Sequence, residues 1–365
     1  MISDAQVFQE THMPHRLEHR EAEIEQLSRA LQPVVDGDRA EDVLLSGPSG
    51  VGKTVLSRHV LARLDDQAAV ASAHVRCVGS TPGNILRNAI RKLSIGASVH
   101  QGTPIDELPR MLHDGLNEPG VLVLDEADDV PDSNLLSLLS RAPTISVVAI
   151  CHKAERWLSQ VDEVHRSTFK GDHHIPLDRY AVNELADILE ARADRGLHPG
   201  VVDRDRLEQI ADRVAGVARD GIQTLYEAAM YGGERDHRLI DADDIADGYV
   251  RAQKNIREAN LRSLPFHHHV LYEIVRVEGP ITGTELHAFY DVMGDSVYTD
   301  RPKMPVTRGR RRAFLRKLRE YDLIEKFDDV EDDEKTEGDV QYEPVDPDLR
   351  SHLDPLMDVL PQNTG

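Results

Sequence analysis

The chain has 365 residues, more than one ordinary domain contains, so we expect two or three units that each bury a core. It carries 65 acidic against 43 basic residues, a formal charge of −22, and only nine of the basic residues are lysines. This balance is typical of proteins from salt-in halophiles. In molar salt the Debye length falls to about 3 Å, so the acidic surface does not exclude nucleic acid as a partner.

The sequence shows no pattern typical of a targeting segment, a membrane span or a disulfide framework. The N-terminus is polar and acidic, and no apolar run reaches the length of a membrane span, which favours a cytoplasmic protein with no membrane contact. The cysteines, Cys77 and Cys151, lack the spacing of metal ligands, and two thiols do not make a disulfide framework. We expect both to be buried as small apolar residues.

Apolar runs alternate with helical patterns in the first half of the chain. Residues 15–31 carry Leu and Ile at helical spacing. After them, strands are predicted at 43–46, 70–78, 121–124 and 145–150, and helices at 55–64, 84–93 and 105–116. The last two strands are continuous apolar runs of the kind buried on both faces of a parallel sheet. The pattern therefore predicts a doubly wound α/β domain, a parallel sheet with flanking helices.

The segment GPSGVGKT satisfies the phosphate-loop pattern G-x-x-x-x-G-K-[ST] and lies between a predicted strand and a predicted helix. Its glycines allow backbone amides to face phosphates, Lys53 reaches the β and γ phosphates, and Thr54 offers its hydroxyl to Mg²⁺. A chance glycine turn is the alternative. We predict that ATP or ADP binds here with Mg²⁺, in contact with Gly47, Pro48, Ser49, Gly50, Val51, Gly52, Lys53, Thr54 and Val55.

The segment VLVLDEAD places two acidic residues at the carboxyl end of a buried strand. Asp125 is predicted to hold the water shell of Mg²⁺, and Glu126 to orient or deprotonate the attacking water. A plain strand-end turn is the alternative. The order of these motifs is similar to that of AAA+ ATPases.

Three further side chains lie where ATPases of this kind place catalytic or nucleotide-binding groups. His152 follows the next strand, at the position of a polar residue that contacts the γ-phosphate. Arg166 lies where AAA+ proteins present an arginine to the nucleotide of a neighbouring subunit, which would imply self-association. Arg219 begins a helix from which it could fold over the nucleotide. The alternatives are a surface histidine, an arginine paired with a carboxylate and a solvated helix-start arginine.

The second half of the chain is predicted to form two smaller domains. Helical patterns fill residues 181–252, which fits a helical lid. Residues 263–349 show three helical stretches, then strands at 323–327 and 340–342 with an acidic stretch between them, which describes a winged helix. We predict a base domain at 1–175, a lid at 176–258, a winged helix at 259–350 and a tail at 351–365.

The segment TRGRRRAFLRKLREYDLI predicts an amphipathic helix in the recognition position of a helix-turn-helix. Its apolar stripe consists of Phe314, Leu315, Leu318 and Tyr321, and its opposite face of Arg308, Arg312, Arg316 and Arg319. We predict DNA contacts by Arg308, Arg310, Arg311, Arg312 and Arg316. The alternative is a solvated charged face, and the acidic stretch at 328–334 argues against contact by the wing.

Taken together, the chain resembles the archaeal AAA+ replication initiators, relatives of the eukaryotic origin recognition complex and the cell-division-cycle helicase loader. The resemblance covers about residues 8–349 and rests on the order of MPHRLEHREAEIEQL, GPSGVGKT, VLVLDEAD, VDEVHRSTF, IPLDRYAVNELADILEARAD and LPFHHHVLYEIV. It implies a P-loop AAA+ domain, a helical lid and a C-terminal winged helix. It also implies binding of double-stranded origin DNA, a nucleotide held between base and lid, and recruitment of the replicative helicase.

The resemblance also assigns residues and exposes two departures. Pro14, Arg16 and Arg20 fall at the family's adenine pocket, Tyr180 joins the nucleotide contacts, and a DNA-contacting insertion falls near residues 95–104. The sequence has Cys-His where the family has Ser-Asn, and VARDGIQTL where it has a Gly-Asp-x-Arg run. Both departures concern hydrolysis, so we expect a weak ATPase at most. A divergent paralogue that regulates without initiating is the alternative; a protein remodeller is disfavoured because no aromatic pore loop is found.

Overall fold

The structure, a computed structural model, describes residues 1–95, 99–130, 134–299, 301, 303–328 and 340–353. The chain forms two compact units, Met1–Gln253 and Lys254–Gly365. The predicted base and lid ranges begin in the first unit, and the predicted winged-helix range lies in the second. Parts of the predicted insertion (95–104), acidic stretch (328–339) and tail (351–365) lie outside the described residues. Within the described ranges, no helix is long and apolar enough to cross a membrane.

Five parallel strands form the sheet of the first unit. They are β1 (Val43–Ser46), β2 (Ala71–Arg76), β3 (Gly120–Asp125), β4 (Ile145–Cys151) and β5 (His174–Pro176). Their order across the sheet is β2-β3-β4-β1-β5, and each neighbouring pair is parallel. The predicted parallel α/β sheet is thereby confirmed, and β5 is the one strand of this sheet that the sequence pattern did not predict.

Helices cover both faces of this sheet because successive strand residues point to opposite sides. On one face, Val43 and Leu45 pack with Leu27 of helix Glu21–Leu31 and Leu56 of helix Lys53–Asp65. The opposite face is covered by the helices Pro82–Lys92, Leu108–Asp114, Asn134–Leu139 and Ala154–Gln160. Short helical segments lie at Gln32–Asp36, Ala127–Asp129, Glu163–Arg166, Ser167–Phe169 and Gly171–His173. This layering leaves the loops at the carboxyl edge of the strands free to build a site.

The remainder of the first unit is helical, as predicted for a lid. Its helices are Val182–Gly196, Arg204–Arg213, Ala218–Glu234 and the start of Ala242–Ser263. The N-terminal turn Ala5–Phe8 packs among them, with Val7 and Phe8 buried in the same apolar cluster as Leu185 and Leu225. The first residues of the chain therefore belong structurally to the lid.

In its described residues, the second unit contains the end of helix Ala242–Ser263, three further helices and a small antiparallel sheet. The helices are Phe266–Glu278, Gly283–Val297 and Arg308–Glu320, and the strands are β6 (Ile281–Thr282), β7 (Ile324–Asp328) and β8 (Val340–Pro344). The sheet order is β6-β8-β7, so β7 and β8 form a hairpin after the third helix. This element order is consistent with the predicted winged helix.

Candidate nucleotide site and recognition helix

The phosphate loop, residues 47–52, connects β1 to helix Lys53–Asp65 and requires glycine at defined places. Gly47 has φ 145°, and a Cβ atom there would lie 2.1 Å from the carbonyl oxygen of Leu177. Gly52 has φ 98° and caps the helix that follows. Only glycine adopts these conformations at little cost. The glycines therefore allow the loop to turn tightly into the N-terminus of the helix. Backbone N–H groups at a helix N-terminus form a site that favours phosphate.

Lys53 lies inside this loop rather than on the surface. Its side chain is 9% exposed, and Nζ donates hydrogen bonds of 2.6 Å to the carbonyl oxygens of Gly47 and Pro48. Burial lowers the pKa of Lys53 to about 8, against the opposing effect of nearby carboxylates such as Asp125. A buried cation of this kind gains from an added negative charge, so the geometry favours an anionic ligand.

Asp125 and Thr54 meet at the edge of the sheet. Thr54 Oγ1 donates a 2.9 Å hydrogen bond to Asp125 Oδ2. Burial would raise the pKa of Asp125, but hydrogen bonds from His74 and Thr54 and the charge of Lys53 hold it below its ordinary value. An ionised carboxylate next to a hydroxyl is a set of hard oxygen donors, which suits Mg²⁺. The residues present therefore fit the predicted ion.

Strand β2 supplies partners to both acidic residues, and sequence analysis missed them. His74 Nε2 lies 2.8 Å from Asp125 Oδ2, and Arg76 Nε donates a 2.7 Å hydrogen bond to Glu126 Oε2. His74 and Arg76 are two residues apart and so point to the same face of β2. Glu126 itself has φ 57°, a left-handed conformation that is uncommon outside glycine. The predicted catalytic glutamate is thus engaged by an arginine.

The end of β4 lies between the phosphate loop and the acidic residues, because β4 separates β1 from β3. The backbone N–H of His152 donates a 3.1 Å hydrogen bond to Asp128 Oδ2. Asp128 is 7% exposed, and its Oδ1 has no hydrogen-bond partner among the described residues. The burial of Asp128 was not predicted from the sequence. Cys151 and Cys77 are both buried, as predicted, and burial raises the pKa of each thiol.

The lid contacts the phosphate loop through the start of helix Ala218–Glu234. The backbone N–H of Arg219 donates a 3.1 Å hydrogen bond to the carbonyl oxygen of Gly50. A Cβ atom on Gly50 would lie 2.6 Å from Val217 Cγ1, which shows how closely the two segments pack. The Arg219 Nε atom lies 3.6 Å from Asp220 Oδ1. Arg219 therefore lies beside the phosphate loop, although the lid motif is altered, and its contact with the nucleotide stays a prediction.

A cavity of about 220 Å³ opens beside Gly52. The predicted residues that line it are Pro14, Arg16, Arg20, Gly52, Val55 and Tyr180. Arg20 Nε donates a 2.9 Å hydrogen bond to the Tyr180 hydroxyl, and its guanidinium lies 4.1 Å from the centre of the Tyr180 ring. The structure thus brings together, next to the phosphate loop, the side chains that the resemblance assigned to the base of the nucleotide.

Arg166 ends the helix Glu163–Arg166 and is half-buried. Its Nη2 donates a 2.9 Å hydrogen bond to the carbonyl oxygen of Val161. This bond holds the arginine against its own chain. Its use by a neighbouring subunit stays a prediction.

The recognition helix, Arg308–Glu320, begins after Thr307 and buries the predicted apolar stripe. Phe314, Leu315, Leu318 and Tyr321 are all between 0% and 7% exposed. The side chains of the opposite face are exposed or half-buried: Arg308, Arg312, Arg316 and Arg319. The helix therefore presents a row of cations on the side that faces away from the core of its unit.

The structure contradicts the predicted DNA contact by Arg311. It is 5% exposed, and its guanidinium donates to the carbonyl oxygens of Val306 at 3.0 Å and His287 at 3.2 Å, and to the Asp291 carboxylate. It also lies 4.0 Å from the centre of the Tyr290 ring. A side chain held in this way cannot reach DNA, so Arg311 serves the fold of the second unit.

Two further cations of the helix also turn toward the protein. Arg310 is half-buried, with its guanidinium 5.7 Å from the centre of the Phe314 ring. Lys317 is 1% exposed, with Nζ 3.2 Å from Glu320 Oε2 and 5.0 Å from the centre of the Tyr321 ring. The predicted contact by Arg310 stays a prediction that would need this side chain to extend.

Comparison with known proteins matches both parts of the first unit. A family described as "AAA ATPase domain" matches residues 16–150, and a family described as "Cdc6 AAA+ ATPase-type lid domain" matches residues 186–249. The first range contains the phosphate loop and both acidic residues, and the second contains Arg219. The base and the lid recognised from the sequence are thus confirmed as separate family matches.

Curated relatives match over most of the chain. ORC1-type DNA replication protein 9 of Halobacterium salinarum is 32% identical over 349 residues, covering 95% of this chain and 94% of the relative. ORC1-type DNA replication protein 1 of the same organism is 31% identical over 304 residues, covering 82% of this chain and 99% of the relative. These relatives come from a haloarchaeon, in keeping with the acidic composition.

Solved structures share the fold. The ORC1 protein of Aeropyrum pernix, solved in complex with DNA, has a TM-score of 0.72 at 22% identity and covers 98% of this chain and 97% of its own. The Cdc6p protein of Pyrobaculum aerophilum has a TM-score of 0.62 at 24% identity, and the match covers 94% of this chain and 96% of the Cdc6p chain. At these identities the likeness shows the fold alone, and the predicted winged helix of the second unit is consistent with it.

Proposed function

Since the chain belongs to the family of ORC1-type DNA replication proteins, we propose that it is an ATP-dependent initiator of DNA replication. It would bind double-stranded origin DNA through the recognition helix, respond to ATP binding and slow hydrolysis, and recruit the replicative helicase in the cytoplasm. The observation that carries the proposal is that one chain holds both an assembled phosphate loop with its acidic pair and a helix with an outward row of arginines.

The nucleotide would be held by the phosphate loop, with its base in the cavity beside Tyr180 and Arg20. Lys53 would exchange its bonds to loop carbonyls for bonds to phosphate oxygens, which are stronger because both groups are charged. Thr54 and Asp125 would hold Mg²⁺, which when bound neutralises charge on the phosphates. Arg219 would add a cation from the lid side. ATP and ADP fit this description equally, so the site can hold either state.

Hydrolysis would be slow for reasons visible in the site. Glu126 would orient the attacking water, but its Oε2 already accepts a hydrogen bond from Arg76 and is less available to that water. His152 stands where the family has an asparagine, and an imidazole changes its charge and tautomer near neutral pH where an amide does not. Arg166 would contribute only on self-association. These residues therefore suit a protein that stays in its ATP-bound state for a long time better than an enzyme that hydrolyses ATP rapidly.

DNA binding would use the outward arginines Arg308, Arg312, Arg316 and Arg319. Arginine side chains on a helix in a groove bind phosphates and base edges. In molar salt the phosphate contribution is largely lost, so the protein would need base or shape readout to retain affinity. Specific sites should therefore dominate its binding in the cell.

A second candidate is a divergent paralogue that binds nucleotide and DNA as a regulator and starts no replication. His152 and Val217, at the two departures from the family pattern, favour it. Single-turnover hydrolysis of prebound ATP, compared between the wild type and His152→Asn, tests the first departure. A faster variant identifies His152 as the limiting residue, whereas an unchanged rate removes this argument for the second candidate.

The experiment that tests the main proposal is mapping of the protein's bound sites on genomic DNA, combined with replication profiles. An initiator should occupy a few discrete sites that coincide with replication start points. Deletion of the gene should remove those start points. Discrete sites with unchanged replication profiles would support the regulator, and uniform low occupancy would overturn DNA-sequence recognition altogether.

A further inference from the structure

His74 bonds to the same carboxylate oxygen as the phosphate-loop threonine. Its Nε2 lies 2.8 Å from Asp125 Oδ2, and Thr54 Oγ1 lies 2.9 Å from that atom. His74 comes from the middle of β2, and the parallel pairing of β2 with β3 places Arg76 beside Asp125. The histidine therefore approaches from the neighbouring strand, on the side away from the phosphate loop's own strand β1.

The chemistry of this contact fixes the direction of the hydrogen bond. An ionised carboxylate only accepts, so Nε2 of His74 carries the proton. His74 Nδ1 is buried and has no hydrogen-bond partner among the described residues. The ring is thus set up as a single donor aimed at Asp125.

Two donors on Oδ2 restrict how Asp125 can rotate. With Oδ2 taken by Thr54 and His74, Oδ1 is the oxygen left to accept from the hydration shell of an ion. Partners that orient a metal-binding group commonly change metal affinity by about 10- to 100-fold when they are removed. The arrangement therefore bears on how tightly the ion is held, and the loop bonds that hold the nucleotide do not involve His74.

We propose that His74 is a positioning residue of the magnesium site, which orients Asp125 through its Nε2–H and so sets the affinity for the ion. This inference rests on the proposed function, because it assumes that the phosphate loop binds nucleotide with Mg²⁺. It adds a third residue, from a strand that carries no nucleotide-binding motif, to the pair Thr54 and Asp125.

The test is a magnesium titration of binding by a fluorescent ADP analogue to the full-length protein. His74→Leu removes the donor, and His74→Gln keeps an N–H at a similar reach. His113→Gln is the matched control, because His113 bonds to Thr144 at the amino end of β4, at the opposite edge of the sheet. Thermal melting confirms that each variant is folded.

We expect His74→Leu to need about 10- to 100-fold more Mg²⁺ for half-maximal effect, with unchanged nucleotide affinity in EDTA. His74→Gln should recover most of the loss, and His113→Gln should match the wild type. The loss should be similar with Mn²⁺. A His74→Leu titration identical to wild type overturns the inference, as does a loss confined to Mn²⁺, which would make His74 a direct ligand. If wild type itself shows no dependence on Mg²⁺, the proposed function fails instead.

Discussion

Arg311→Ala is expected to destabilise the second unit and not to remove a DNA contact. The substitution leaves the carbonyl groups of Val306 and His287 without their donor, at a cost of about 1–3 kcal/mol each. The lost pair with Asp291 adds only about 0–1 kcal/mol, because that side chain is 52% exposed and water replaces the arginine. The total is on the order of 4 kcal/mol, a large fraction of the stability of a small domain.

Hydrogen exchange of the full-length protein measures this loss locally, because peptides of the second unit should exchange faster while those of the first unit do not change. Arg312→Ala is the matched control. Its side chain is exposed on the same helix, so stability should change by less than about 0.5 kcal/mol. For this variant, the slope of the logarithm of the DNA-binding constant against the logarithm of the salt concentration should instead be smaller in magnitude by about 0.9. If the second unit of Arg311→Ala exchanged hydrogen at the wild-type rate, and the salt dependence of its DNA binding were reduced, the reasoning would be refuted.

Three further predictions concern the phosphate loop, the acidic pair and the histidines of the second unit. Lys53→Ala should weaken nucleotide binding by roughly 10- to 100-fold in calorimetry, because a charged donor to phosphate is lost; unchanged affinity would exclude the loop as the site. Arg76→Ala should speed single-turnover hydrolysis by up to about fivefold. The half-exposed ion pair between Arg76 and Glu126 is worth about 1 kcal/mol, and this energy no longer has to be overcome when Glu126 turns to the attacking water. A slower rate would contradict this. Burial lowers the pKa of His268 to about 3 and the pKa of His269 to about 4, from the ordinary 6.5. As the pH falls, the unfolded chain therefore binds protons at these histidines before the folded chain does. The free energy of unfolding should decrease as the pH drops from 6.5 toward 4. Urea unfolding at pH 7.5 and pH 5 should show this loss for wild type and a smaller one for His268→Leu; equal losses would contradict the assignment.

The sequence allowed prediction of the elements whose signal is local. The phosphate loop, the four longer strands of the large sheet and the recognition helix each carry their own pattern of glycines or apolar spacing. Strand β5 escaped because it has only three residues, His174–Pro176, too few for a period to show. Its place beside β1 depends on pairing between distant segments, which no local pattern records.

The partners of the acidic pair were missed for a related reason. His74 and Arg76 stand next to Asp125 and Glu126 only because β2 is the neighbour of β3 in the sheet. Strand order is a property of the tertiary fold, so these contacts could not be read from residue types. Asp128 is different, since it lies within the VLVLDEAD segment and only its burial was unforeseen.

Arg311 shows an error that spacing alone could have prevented. It precedes Phe314 by three residues and Leu315 by four, which places it on the same face of the helix as the apolar stripe. The residue type suggested DNA, whereas the helical period indicated the core, and the structure follows the period. Lys317 lies three residues after Phe314 and is buried for the same reason.

The central claim is that nucleotide controls DNA binding. It is tested most directly by measuring affinity for a mapped genomic site with a non-hydrolysable ATP analogue and Mg²⁺, and again with ADP. The account predicts tighter binding in the ATP state by about tenfold, a coupling of about 1.4 kcal/mol, and loss of that difference in Lys53→Ala. Equal DNA affinity in the two states, with both nucleotides demonstrably bound, would contradict it.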